Sequence, residues 1–144
     1  MACRAQELLT PTEAATSVPE ANEDVEEIFQ VTSVGSAQNG ATPTTFTVSE
    51  SWLVTELKTY HWNYGNGATP GTIGLMDADG TILGTWQAEG LPGQGDVANA
   101  YWVVNPNVVI PPGTYTLIDS DPDTWAQNSE TNGMGMAWGS GVRQ

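Results

Sequence analysis

The feature that most constrains this chain is its punctuation. From Ile28 onward, short runs of alternating apolar and polar residues are broken by Gly, Pro and Asn at intervals of about eight to twelve residues,. No uninterrupted stretch is long enough for a helix of more than about two turns. Runs of this length with period-two alternation read as strands of a two-sheet sandwich, each burying one face. The spacing predicts eight strands near 28–34, 44–49, 53–62, 72–77, 81–87, 100–104, 114–118 and 134–138. The fold class is therefore all-β: a two-sheet β-sandwich over 28–144. The clearest hairpin lies at 74–84, where Asp77, Ala78, Asp79 and Gly80 separate two apolar runs. Asp at the first turn position accepts backbone N–H groups and Gly at the last supplies a positive φ. Along 53–62, Leu53, Thr55, Leu57, Thr59 and His61 alternate with Val54, Glu56, Lys58, Tyr60 and Trp62, and the first set is expected to face the core.

Residues 1–27 have a different texture. They hold one apolar pair, Leu8 and Leu9, two prolines, Pro11 and Pro19, and an acidic cluster of Glu23, Asp24, Glu26 and Glu27. Too little apolar surface is present to offset the entropy of ordering, so an extended tail is expected. The single cysteine, Cys3, excludes an intramolecular disulfide,. It follows Ala2 and precedes this polar stretch, which resembles the Ala-Cys end of a bacterial lipoprotein signal, so Cys3 is a candidate for lipid attachment and hence for an anchor at a membrane face. No run of eighteen apolar residues offers a transmembrane span,.

Charge limits the partners. Seventeen acids stand against three Lys and Arg, for a net charge of -14. That removes the electrostatic basis for binding nucleic acid or an anionic membrane surface.

From His61 onward the chain carries a series of phrases: His61 to Gly67 (HWNYGNG), Pro70 to Leu75 (PGTIGL), Asn99 to Val104 (NAYWVV), Pro111 to Thr116 (PPGTYT) and Ile118 to Trp125 (IDSDPDTW). These resemble uncharacterised jelly-roll-like β-sandwich domains of secreted or surface-anchored bacterial proteins. The resemblance implies an extracellular or cell-surface, non-catalytic module.

Two constellations could carry function. Asp119, Asp121 and Asp123 put three carboxylates at alternate positions, and Glu130 falls at the twelfth position counted from Asp119, where a bidentate ligand belongs in a calcium loop,. Thr124 replaces the Gly that an EF-hand needs at its sixth position and Pro122 interrupts the loop, so a different Ca2+ site or a plain Asp turn are the two readings. The second constellation is aromatic. Trp62, Tyr64, Trp86 and Trp125, with Asn63 and Asn128, combine flat apolar faces with neutral amides, as sugar recognition requires. Trp125 and Trp62 or Tyr64 are expected to be the exposed rings. Tyr101 and Trp102, adjacent on one strand, must point to opposite faces.

Catalysis is not expected. His61 is the only histidine, and no Gly-x-Ser-x-Gly phrase or His cluster accompanies it,. The expected function is a non-catalytic binding module for a neutral glycan or a protein partner. A structural subunit of a surface layer or filament, assembling as a homo-oligomer, is the alternative.

Overall fold

The computed structural model describes residues 24–144. The expectations for Cys3 and for most of the tail lie outside the described residues. Among the described residues there are ten strands: β1 Val25–Val31, β2 Thr45–Val48, β3 Trp52–Tyr60, β4 Thr72–Met76, β5 Ile82–Gln87, β6 Glu89–Leu91, β7 Tyr101–Val104, β8 Val108–Ile110, β9 Gly113–Asp119 and β10 Ala137–Arg143. Strands overlap all eight expected positions, the last displaced from 134–138 to Ala137–Arg143, and the two additions, β6 and β8, are three residues each. β1 begins at Val25, inside the stretch read as tail, because pairing with β10 supplies the hydrogen bonds and apolar contacts that Glu26 and Glu27 alone do not signal,.

The strands form two antiparallel sheets. One runs β2-β9-β4-β5; the other runs β1-β10-β3-β7-β6, with β8 also paired to β3. The first and last described strands pair, and from β1 to β4 consecutive strands alternate between the sheets. The core lies between the sheets. Phe46, Ile73, Leu75, Tyr115 and Leu117 from the first meet Val54, Leu57, Trp102, Ile110 and Ala137 from the second. Full burial of such side chains contributes about 1.5–3 kcal/mol each, and this term holds the sheets together.

The expected burial of β3 holds for only half of the strand. Leu57, Thr59 and His61 are buried, but Leu53 and Thr55 are only half-buried while Trp52 and Val54 are buried instead. The cause is a bulge. In the pairing with β10, Ser140 opposes Glu56 and Gly141 opposes Val54, so Thr55 is extra and the strand changes face across it,. Gly141 permits this approach, since a Cβ there would lie 2.1 Å from the Leu53 carbonyl oxygen,.

The 74–84 hairpin has its expected turn. Asp77 Oδ1 accepts from the N–H groups of Asp79 and Thr81, both at 2.9 Å, and Gly80 has φ 85°,.

Candidate functional site: an aromatic groove on the outer sheet face

Strand alternation and register build the site. Thr59 opposes Trp102 and Ala137, all facing the core; their neighbours Tyr60, Tyr101 and Trp138 therefore project from the opposite, outer face of the larger sheet,. Tyr101 and Trp102 do point apart, and Trp102 is buried. Tyr60 and Tyr101 rings are 5.0 Å apart and tilted by 36°. Trp138 meets Tyr60 and Tyr101 edge-on at 6.4 and 5.8 Å, favourable geometry for aromatic quadrupoles. The Lys58 ammonium sits 4.8 Å from the Tyr101 ring centroid and 5.2 Å from that of Trp138, and this cation–π contact braces both rings. Beneath them Ala100, Ala126 and Met136 form a second apolar cluster, separate from the main core.

These rings floor a groove of about 670 Å³, within the range of small-ligand sites. One wall is the loop from Thr32 to Ala37, which brings Ser33 and Ser36; the other holds Gln94, Gly95 and Trp62. The Trp62 indole N–H donates to the Gln94 carbonyl at 3.3 Å. Burial raises the Tyr60 phenol above its ordinary value, with Tyr101 adding to the effect,. None of the thirteen lining residues is Asp, Glu, Lys, Arg or His.

The residues singled out from sequence divide sharply. Trp62 lines the groove. Tyr64 is exposed on the short 3-10 turn Asn63–Gly65, outside the groove. Asn63 is a turn residue: its Nδ2 donates to the Gly67 carbonyl at 2.9 Å and its Oδ1 accepts from Asn39 at 2.8 Å. Trp86, on edge strand β5, packs against the core. Trp125 corrects the expectation of an exposed ring: it is 1 % exposed, its N–H donates to the Met136 carbonyl at 3.0 Å, and its ring lies where a Cβ on Gly135 would be, 1.9 Å away. Asn128 is likewise buried, its oxygen capping the turn Ser129–Thr131.

Three of the four carboxylates of the calcium reading have internal uses. Asp119 is buried; its Oδ1 accepts from the Asp121 N–H at 2.8 Å, and its Oδ2 accepts from Thr59 at 2.8 Å and from His61 Nε2 at 2.7 Å. Asp121 accepts from the Thr124 hydroxyl at 2.9 Å. Asp123 is exposed. Glu130 accepts from the Ser33 hydroxyl. Among the described residues, no three His, Cys, Asp or Glu side chains converge where an ion could be held.

The chain Thr124–His61–Asp119 has the residue types of a hydroxyl–imidazole–carboxylate triad, with His61 Nδ1 2.8 Å from Thr124 Oγ1. Its setting is structural. His61 is fully buried, stacked on Trp102 at 3.8 Å and 15°, with both ring nitrogens engaged, so no lone pair or proton faces a substrate,.

Sequence reasoning missed Tyr60, Tyr101 and Trp138 as a group. The available signal was the face of Lys58 and Tyr60 on β3, continued past its end by Trp62, and the Tyr60 ring gains its partners only through pairing with β7 and β10. No family model, curated protein or solved structure matches the chain. Among the described residues no helix is long and apolar enough to cross a membrane.

Proposed function

We propose that the domain is a non-catalytic extracellular binding module whose outer-sheet groove takes a neutral glycan. The observation that carries this is the groove's lining. In a chain of net charge -14, no charged side chain is among the groove's lining residues, and Lys58 and Glu130 beside it are engaged with the floor rings and with Ser33, which suits an uncharged ligand,. Its parts suit sugars: Tyr101, Trp62 and Trp138 offer ring faces and edges for C–H surfaces, while the hydroxyls of Thr32 and Ser36 and the Gln94 amide suit sugar hydroxyls,. The likeness of its sequence phrases to surface-anchored bacterial domains supports the extracellular placement. The enclosed His61 supports the non-catalytic part. An array carrying neutral and acidic glycans tests the reading. Neutral glycans should be bound and polyanionic ones refused; retention of acidic glycans alone would overturn it.

One observation favours the second reading, a self-assembling surface subunit. Edge strand β5 has neither charge nor proline along Ile82–Gln87 and exposes Ile82, whereas edge β1 carries Glu26 and Glu27 and edge β6 carries Glu89. Uncharged edges are the ones that accept a further strand. Light scattering on the purified protein distinguishes a monomer from an assembly.

A further inference from the structure

We propose that Asn128 is a positioning residue that holds the 32–37 wall upright over the aromatic floor, and that the walled groove thereby selects a single soluble oligosaccharide chain over a flat polysaccharide surface. The inference rests on the glycan reading above.

The floor is not a platform. Its rings stand within 6.4 Å of one another at interplanar angles of 36°, 72° and 84°, so they share no plane on which a crystalline face could lie. Residues 32–37, among them the fully exposed Val34, and Gln94 with Gly95 line the groove on opposite sides of the rings. A ligand must enter between them as one chain.

The 32–37 wall belongs to no strand, so its shape depends on side-chain bonds. At its base Gln38 and Gln127 exchange backbone hydrogen bonds at 2.7 and 2.9 Å. Above that, Asn128 Nδ2 donates to Ser33 Oγ at 2.9 Å and to the Ser36 carbonyl at 3.4 Å. The Ser33 oxygen also accepts from the Gly35 N–H at 2.9 Å and donates to Glu130, so its hydrogen-bonding capacity is filled,. Asn128 cannot flip its amide: Oδ1 accepts from the N–H groups of Glu130 and Thr131 at 2.9 and 3.1 Å, which need an acceptor,. One buried amide thus caps its own turn with its oxygen and braces the groove wall with its nitrogen.

That division gives a clean test. Asn128→Asp keeps the capping oxygen and loses the donor to the wall; Ser33→Ala removes the wall-side partner without touching the cap. Titration calorimetry against soluble neutral hexaoses (cello-, xylo-, manno- and N-acetylchito-) is run beside pull-down on microcrystalline cellulose and chitin. The wild type should bind at least one hexaose and neither solid. Both variants should bind that hexaose roughly ten-fold more weakly, as expected for the loss of one or two hydrogen bonds that hold the wall, with melting temperatures near the wild type for Ser33→Ala. Wild-type affinity in both variants, with binding lost in Trp138→Ala, would overturn the role of Asn128 and leave the glycan reading intact. Retention of the wild type on either solid would overturn the single-chain selectivity. Failure of the wild type to bind any hexaose would overturn the glycan reading and this inference with it.

Discussion

Tyr60 and Tyr101 are direct cross-strand partners on β3 and β7, their ring centroids 5.0 Å apart on the outer face of the larger sheet. Their immediate neighbours, Thr59 and Trp102, form the adjacent pair and are buried in the core. One register therefore serves both purposes: it seals the sandwich on one side and assembles the groove floor on the other. A one-residue slip would exchange the two sets.

Trp125 is a core residue rather than a binding ring, because Gly135 leaves the space its indole fills. Trp125→Ala should cost about 3–5 kcal/mol of unfolding free energy, as for other large buried aromatics. Denaturant melts measure it. A loss below about 1 kcal/mol would mean that the ring is not packed as described.

Asp119 accepts three hydrogen bonds in a buried setting. Asp119→Ala leaves Thr59, His61 and the Asp121 N–H without their acceptor, and removing one member of such a buried pair should destabilise by about 3–5 kcal/mol. His61→Ala should show a comparable loss, and the double variant should lose less than the sum, because the two residues are coupled. Additive losses would contradict the network.

Because Asp119 and Glu130 are engaged within the protein, millimolar Ca2+ should leave the melting temperature unchanged, and so should a chelator. A rise with Ca2+ that is abolished by Asp121→Ala would instead establish the loop as an ion site.

Burial lifts the phenols of Tyr60 and Tyr115 above their ordinary value near 10, with Tyr101 and Asp77 respectively adding to it. A raised pKa means that the folded state holds its proton where the unfolded chain has released it. Unfolding free energy should therefore be level below about pH 10 and fall as pH climbs from there toward the folded-state values. Absorbance titration near 295 nm, with Tyr60→Phe and Tyr115→Phe as assignments, should show these two phenols ionising above the ordinary value. Ionisation of Tyr60 and Tyr115 at the ordinary value would contradict the burial.

Much of the fold was legible because its signals are local. Thr-Phe-Thr-Val at β2 alternates strictly, and Asp77 to Gly80 names its own turn,. The bulge at Thr55 was not, since nothing in Leu53 to Trp62 marks an extra residue; it arises where Gly141 of a distant strand comes close. Trp125 looked exposed because it lies between strands, yet Gly135, ten residues on, leaves the space that buries it. The groove was only half legible. Trp62 stood out beside Asn and Gly, but Tyr101 and Trp138 become a floor only when antiparallel pairing sets Tyr101 against Tyr60 and Trp138 against Lys58.

The most direct test of the groove is the set of six indole N–H resonances in an NMR titration with a neutral glycan taken from the array. Those of Trp62 and Trp138, which line the groove, should shift on saturation, while those of Trp86, Trp102 and Trp125 should stay in place. Movement of Trp86 with Trp62 and Trp138 unmoved would place the ligand elsewhere and contradict the account.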